Sequence, residues 1–297
     1  MAKCLNMHAA YRCRHSGACC RAGWPIPFDG DEFVGAARLP LAPGGFIRDS
    51  RGGAHAARHP DGSCIFFDHG TSLCEIHRLG TEAAPPLACR MFPRRVLHDG
   101  RGTFVSLSHF CPTAAARVFG WRQPVRVVDA PETLTGVGDL DGLDARGEWP
   151  PLLRPGVLTD LESYSIWETR AIDLLTRDHR PPGAALESLR SITAAIARWS
   201  SAAGDLTGTV ERAFQSPLAE RDDASMATSV ADEDAAVKRW LAARVFGNWI
   251  AYQGDGLLAI IGYLHHCLRT FAAERALDGD PVEAIRRADR RLLHEAD

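Results

Sequence analysis

The chain opens its cysteine-rich region with Cys13-Arg-His-Ser-Gly-Ala-Cys-Cys20, and this region ends at Cys111. Residues 112–297 contain a single further cysteine, Cys267. Packing alone does not explain so uneven a distribution, because free cysteines behave as small hydrophobic residues that suit any core. We therefore expect metal binding by the seven clustered thiols of the nine in the chain: Cys13, Cys19, Cys20, Cys64, Cys74, Cys89 and Cys111.

Metal ligation is the favoured explanation of the cluster, and redox or nucleophilic cysteine chemistry and incidental buried thiols are the alternatives. Soft thiolates select zinc, iron–sulfur centres or copper(I). A structural zinc ion takes four ligands, and an iron–sulfur cluster is usually held by four cysteines. Seven thiols therefore fill one site with three to spare, or two sites with help from a histidine or a shared sulfur. His15, His77 and His109 are histidine candidates, each read first as a polar neighbour of a ligand.

The adjacent pair Cys19-Cys20 restricts the geometry. Neighbouring residues of a strand point to opposite sides, so both thiols reach one ion only through a sharp turn. Either Gly17 and Gly23 allow that turn, or the pair serves two metals. Outside the cluster, we expect Cys4 to be a free or frayed terminal thiol. Cys267 lies on an apolar helical stripe and is expected in the core.

Composition and charge place the chain among ordinary globular proteins. Hydrophobic residues make up 45% and charged residues 24% of its 297 residues. Residues 1–123 carry 15 Lys and Arg against 9 Asp and Glu, whereas residues 124–297 carry 19 against 28. The basic excess lies beside the cysteines, where arginines offset thiolate charge, so nucleic acid is not the expected partner. The N-terminus lacks the apolar core of a signal peptide, and no run of about 18 apolar residues occurs. We therefore expect no membrane span and a cytoplasmic location, where thiols stay reduced.

The predicted fold is mainly α, with an irregular cysteine-rich metal-binding N-terminal domain of short strands and helices and an α-helical C-terminal part. We expect a cysteine-cluster domain over residues 1–123, a linker or extended lobe over 124–157 and an α-helical domain over 158–297. Strands are predicted at Thr103–Leu107 and Val125–Val128, and a short helix after Asp29. Four apolar stripes predict helices, and a polar loop is expected at 216–234, between the second and third stripes. Asp280-Pro281 predicts the start of a last helix. The stripes run over residues 161–175, 186–199, 237–252 and 257–271.

Several blocks of the chain together resemble the YkgJ-type cysteine cluster family of zinc- or iron-chelating domains. The first is Cys13 to Cys20, which is similar to the Cys-x-x-Cys-Gly-x-Cys-Cys signature of that family. The later blocks follow in the family's order: Cys64-Ile-Phe-Phe67, Cys74-Glu-Ile-His77, Pro86-Leu-Ala-Cys-Arg-Met-Phe-Pro93 and, after Ser106-Leu-Ser108, Cys111-Pro112. Cys20-Arg-Ala-Gly-Trp24 looks closest to the flagellin lysine-N-methylase branch. The resemblance covers roughly residues 10–120, and Ser16 stands where the family signature has its second cysteine.

The resemblance implies a bound iron–sulfur cluster or zinc and, on the methylase branch, S-adenosylmethionine and a protein lysine substrate. The residues themselves do not identify a catalytic group or a nucleotide site. The glycines of Gly136-Val-Gly138-Asp-Leu-Asp-Gly142 follow no apolar strand, which favours a turn-rich linker over a cofactor loop. Two functions therefore stay open: a metalloenzyme similar to the lysine methylases, and a non-catalytic metal-binding module with a structural, sensing or storage role.

Overall fold

The computed structural model describes residues 1–41, 43–81, 84–137, 140–215 and 228–294, and it shows a mixed α/β protein. About 49% of the chain is helical and 15% is strand. The strands are β1 (Ala2–Leu5), β2 (Pro27–Phe28), β3 (Phe46–Arg48), β4 (Ala54–Ala56), β5 (Phe67–Asp68), β6 (Leu73–Cys74), β7 (Arg94–Asp99), β8 (Gly102–Leu107), β9 (Val127–Asp129), β10 (Leu143–Asp144), β11 (Leu152–Arg154) and β12 (Val157–Leu158).

The helices lengthen markedly towards the C-terminus. Short 3-10 helices, Ser201–Ala203 and Trp249–Tyr252, lie between the longer ones. The α-helices are α1 (Asn6–Ala9), α2 (Gly30–Ala37), α3 (Glu75–Leu79), α4 (Leu87–Met91), α5 (Pro112–Gly120), α6 (Glu132–Thr135), α7 (Leu161–Arg177), α8 (Pro182–Ala197), α9 (Leu206–Gln215), α10 (Thr228–Val245), α11 (Leu257–Asp278) and α12 (Pro281–His294).

A five-stranded sheet joins the N-terminus to the middle of the chain, in the order β10-β7-β8-β1-β9. Strands β7 and β8 form an antiparallel hairpin with a two-residue loop. The N-terminal strand β1 runs parallel to β8 and antiparallel to β9, and β10 runs parallel to β7. Three smaller sheets accompany it: β2-β4-β3, β5-β6 and β11-β12.

The predicted fold class, mainly α with an irregular cysteine-rich metal-binding N-terminal domain, is wrong. Sheets organise much of the first half of the chain. Among the residues that the structure describes, no group of three or more His, Cys, Asp or Glu side chains is arranged to hold a metal ion. The sheet escaped prediction because its partners are far apart in sequence: Ala2 pairs with Thr103, and Lys3 with Asp129. Strands of two to six residues are also too short for their alternation to stand out.

Local predictions fared better than the fold class. The stripes over 161–175 and 257–271 lie within α7 and α11, and the stripe over 186–199 lies mostly in α8. The stripe over 237–252 is two elements, because α10 ends at Val245 and Gly247 takes a φ of +58° before the second 3-10 helix.

The helix cap, the strand and the short helix predicted from local sequence are present in the structure. The side chain of Asp280 accepts a hydrogen bond from the Val282 N–H at 2.9 Å and so caps α12. The strand predicted at Thr103–Leu107 lies within β8, and α2 follows Asp29 as expected. Of the polar loop predicted at 216–234, residues 216–227 lie outside the described residues and the remainder belongs to α10. Gly138, in the glycine segment, also lies outside them.

The largest hydrophobic core joins the sheet to the long helices. It includes Leu5 and Phe104 from the sheet and the fully buried Trp167 and Trp240 from α7 and α10. Val125 and Leu153, from the segment expected to be a linker, belong to the same core. The three-part division of the chain stays a prediction. Within the described ranges, no helix combines the length and the apolar character needed to cross a bilayer.

A buried arginine fixes the β7–β8 hairpin to α7. Arg101 pairs with Asp99 at 2.8 Å and with Glu168 at 3.1 Å, and all three side chains are at most 7% exposed. Its guanidinium also lies over the rings of Phe104 and Tyr164, at 4.3 and 4.5 Å from the centroids. The cation is thus compensated on every side, as a buried charge must be.

Candidate metal site

Backbone pairing brings three of the cysteine-bearing segments together. The N–H of Cys64 donates to the carbonyl of Cys20 at 2.8 Å, which ties the first cysteine block to the second. Strands β5 and β6 then place Phe67 opposite Cys74. Segments that are some fifty residues apart in sequence, Cys20 and Cys74, are therefore linked through Cys64, and all three thiols lie in the same region.

The turn at residues 17–23 presents the adjacent thiols to one side. Gly17 and Gly23 take φ values of +67° and +82°, which L-residues with side chains rarely adopt. The sulfur atoms of Cys19 and Cys20 lie 4.0 Å apart. A Cβ atom added at Gly17 would lie 2.4 Å from Cε2 of Phe67, so the turn also requires glycine for space. The two glycines therefore form the sharp turn that the first alternative needs, while the number of metals that the pair would serve stays a prediction.

Ser16 takes part in this turn. Its hydroxyl accepts a hydrogen bond from the Ala18 N–H at 3.5 Å, and its carbonyl accepts one from the Arg21 guanidinium at 3.3 Å. A serine oxygen is a poor ligand for soft metals. In this chain the position serves the turn instead.

Glu32 positions the fourth segment, which carries Cys89 on α4. One carboxylate oxygen of Glu32 closes the capping box of α2 with Asp29, and the other accepts from the Leu87 N–H at the start of α4 at 2.5 Å. Arg90 approaches the same oxygen at 3.6 Å. One side chain thus caps two helices and holds Cys89 over the turn.

A small cavity lies where α4 meets the turn. Its volume is about 30 Å³, close to the share of liquid volume that one water molecule occupies. The residues around it are three thiols and their apolar neighbours: Cys19, Cys20, Cys89, Trp24, Pro25, Ile26, Ala88 and Phe92.

The thiols of this group act on one another electrostatically. The hydrogen bond shared with Cys20 lowers the pKa of Cys19 to about 7 and raises that of Cys20. Burial raises the pKa of Cys64 to about 11. Burial likewise raises the pKa of Cys89 well above its ordinary value, and neighbouring Cys19, Cys74 and Cys64 raise it further. The hydrogen bond within the Cys19–Cys20 pair therefore favours one thiolate in that pair, while burial keeps the neighbouring Cys64 and Cys89 thiols protonated.

Helix α3 begins at the cluster. Cys74 is its N-terminal capping residue, although its side chain makes no capping hydrogen bond. Burial raises the pKa of Cys74, while the backbone N–H groups of His77 and Ile76 oppose the shift. The helix N-terminus therefore favours the thiolate once a cation is bound beside it.

Cys13 and Cys111 form a second group with Tyr11. The Tyr11 hydroxyl lies 3.6 Å from the Cys111 sulfur, at the N-terminus of α5. Desolvation raises the pKa of Cys13, and the nearby Cys19 and Cys111 thiols raise it further. Cys13 thus lies between the two groups. Tyr11 was not predicted as part of the site. Its only signal in the sequence is its position two residues before Cys13.

The remaining candidates divide between the cluster and the core. His15 and His77 lie next to each other, with ring centroids 4.9 Å apart and ring planes tilted by 59°. His109 is fully buried elsewhere, with its Nε2 3.3 Å from Nε2 of His8. Cys267 is buried in the main core, which confirms its prediction.

Cys4 is a free thiol, as one of its two expected states has it, but it is not frayed. This thiol is fully buried in β1 and packs in a small core under the sheet. Burial raises its pKa to about 12. The reason is the pairing of the N-terminal strand on both of its edges, which no local pattern announces.

The five thiols Cys19, Cys20, Cys64, Cys74 and Cys89 come from four chain segments, and their charges act on one another's pKa values. The sulfur atoms of Cys19 and Cys20 lie 4.0 Å apart. Among the described residues, however, no group of three or more His, Cys, Asp or Glu side chains is arranged to hold a metal ion. The assignment of all seven cysteines as ligands stays a prediction.

Comparisons with known proteins give no relative. A scan against protein-family models, a search of curated proteins and a search of solved structures each found no match.

Proposed function

We propose that this protein binds a thiophilic metal, zinc or an iron–sulfur centre, through its clustered cysteines. The observation that carries the proposal is the convergence of five thiols from four chain segments on the turn at residues 17–23. Cys64 is buried in a small hydrophobic core, and Cys20, Cys74 and Cys89 are half-buried against it, so the thiols are gathered at the edge of that core. Thiolate ligands select these metals over magnesium or calcium.

Each thiol would have a definite part in holding the metal. Cys19 is the thiolate available first, since its pKa is about 7. Cys64, Cys74 and Cys89 are protonated at neutral pH and would release protons on binding, as metal ligation of thiols requires. Cys20 completes this group, and Cys13 and Cys111 lie next to it.

We propose a non-catalytic binding module as the form of the function, because the cavity beside Cys89, at about 30 Å³, is much smaller than the roughly 300–1,000 Å³ of sites for small organic molecules. This comparison concerns the cavity beside Cys89 alone, since a cavity of about 460 Å³ lies between α7 and α10. The alternative, an enzyme similar to the lysine methylases, would need space for S-adenosylmethionine and a lysine side chain. That alternative predicts calorimetric binding of S-adenosylmethionine to the metallated protein. The module predicts none. Both forms assume the reducing cytoplasm predicted from the sequence.

Zinc competition tests the ligand assignment. The reduced full chain is titrated with zinc in the presence of a chromophoric chelator, alongside Cys89→Ser and Cys267→Ala. The proposal predicts at least tenfold weaker binding for Cys89→Ser, in line with about 1.4 kcal/mol or more from a lost thiolate. Cys267→Ala, which removes a core thiol far from the turn in sequence, should bind as the unchanged chain does. Equal affinity in all three proteins would overturn the assignment.

A further inference from the structure

A larger cavity lies between α7, α10 and the segment that leads into β9. Its volume is about 460 Å³. Four arginines line it: Arg122 and Arg126 from the segment before β9, Arg177 from the end of α7, and Arg239 from α10. Three separate elements thus direct guanidinium groups to one concave surface, and the described lining residues include no aromatic ring.

The positive charge of this cavity is only partly compensated. Arg122 pairs with Asp232 at 3.1 Å and Arg177 with Asp173 at 3.4 Å. Both arginine side chains are 64% exposed, so solvent screens these pairs and they contribute little to stability. The lining thus has four guanidinium groups and two carboxylates paired with them, which is an excess of two positive charges.

Arg239 is the most constrained of the four. Its Nε–H donates to the carbonyl of Val118 at 2.5 Å, which fixes the plane of the guanidinium. One terminal nitrogen of the same group is buried without a hydrogen-bond partner. Burial lowers the pKa of Arg239, and the nearby charge of Arg122 lowers it further. Three of the four arginines reach the cavity from the segment before β9 and from α10, and an anion bound there would supply negative charge beside them.

We propose that this cavity binds a small molecule that carries two or more phosphate groups. Guanidinium groups match phosphate oxygens with paired N–H donors, and more than one such group is present. The volume lies in the range of small-molecule sites and exceeds what a lone phosphate would fill. With no ring to stack on a base, recognition rests on the charge of the four arginines, of which Arg239 is held in place by its hydrogen bond to the Val118 carbonyl. The site is independent of the cysteine cluster.

Calorimetric titration with pyrophosphate tests the proposal on the full chain. The variants are Arg239→Gln and Arg126→Gln, and the matched control is Arg51→Gln, an exposed arginine in the turn between β3 and β4. We expect pyrophosphate to bind the unchanged chain, and each cavity variant to bind about tenfold more weakly, with the control unchanged. Arg126 is exposed, so its replacement keeps the test valid even if Arg239→Gln fails to fold.

Three results would overturn the proposal. The first is no binding of pyrophosphate at millimolar concentration. The second is equal weakening by Arg51→Gln, which would show that diffuse surface charge alone is responsible. The third is that a short single-stranded RNA binds more tightly than pyrophosphate and that the same cavity variants abolish this binding. That result would assign the site to a nucleic-acid backbone. Competition by inorganic phosphate that is weaker than by pyrophosphate would support the requirement for two phosphates.

Discussion

His8 is neutral and fully buried in the folded protein, and this predicts a loss of stability in mild acid. Its Nε2 lies 3.3 Å from Nε2 of His109, and both side chains are fully buried. Burial lowers the pKa of His8 to about 3, and the charges of Arg244 and Arg117 lower it further. Asp289, a buried carboxylate near His109, is engaged by Arg244, by the His109 N–H and by Nε1 of Trp240 at 2.7 Å.

The sign and size of the effect follow from linkage. In the unfolded chain His8 takes up a proton near its ordinary pKa of 6.5, whereas in the folded protein it does so only near 3. The stabilisation is therefore present above pH 6.5 and is lost as the pH falls towards 3. Between pH 7 and pH 5, proton uptake by the unfolded chain costs about 2 kcal/mol of unfolding free energy for this one histidine.

Urea unfolding at pH 7 and pH 5 measures the loss. Other groups also titrate in this interval. The free energy of unfolding is therefore measured at pH 7 and pH 5 for each protein, and its decrease is compared between the variant and the unchanged chain. We expect the drop to be about 2 kcal/mol smaller in His8→Gln than in the unchanged chain. His266→Gln, which removes an exposed histidine of α11, is the matched control and should keep the full drop. An equal drop in His8→Gln and the unchanged chain would refute the reasoning.

Three further perturbations test other parts of the structure. Gly17→Ala should lower the free energy of unfolding in urea by about 2–4 kcal/mol, because it combines a positive φ with a Cβ placed 2.4 Å from an aromatic carbon. Gly44→Ala, with a φ of +83° and open space around its Cβ, should cost only the backbone part, about 1–2 kcal/mol. Iodoacetamide should alkylate Cys19 before the more exposed Cys13 in the metal-free protein, with a midpoint near pH 7, as mapped by peptide mass spectrometry. Arg101→Met should lower unfolding stability by about 3–5 kcal/mol, because it leaves two buried carboxylates without their cation.

Each of these predictions has an outcome that contradicts it. Equal losses in the two glycine variants would show that the aromatic ring under the turn yields without cost. Alkylation of Cys13 first, or a midpoint well above pH 7 for Cys19, would remove the preformed thiolate from the site. A loss below about 1 kcal/mol for Arg101→Met would mean that the buried ion pairs add nothing to stability, as exposed pairs often do not.

The helices could be predicted from the sequence because their information is local. The stripes of α7 and α11 repeat with the helical period over several turns, and the cap at Asp280 is a neighbour of the residues that it serves. The break at Gly247 was missed because the apolar period continues through it. Only its positive φ ends the helix, and no apolar pattern encodes a backbone angle.

The sheet and the arrangement of the site depend on contacts between distant segments. The burial of Cys4 was missed because burial of β1 depends on β8 and β9, more than ninety residues away along the chain. The sequence did indicate which thiols belong together, since their density in the first third is visible without structure. It could not indicate that Glu32 would cap the helix of Cys89, because the capping box with Asp29 accounts for that residue locally.

Metal content of the protein purified without oxygen tests the central claim most directly. The full chain is prepared anaerobically, its folding is checked by circular dichroism, and zinc and iron are counted by elemental analysis with a visible absorption spectrum. The thiol cluster predicts at least one metal per chain, either zinc or iron with a broad absorption near roughly 400 nm that is typical of iron–sulfur clusters. Well-folded protein with less than one metal per chain would contradict the claim.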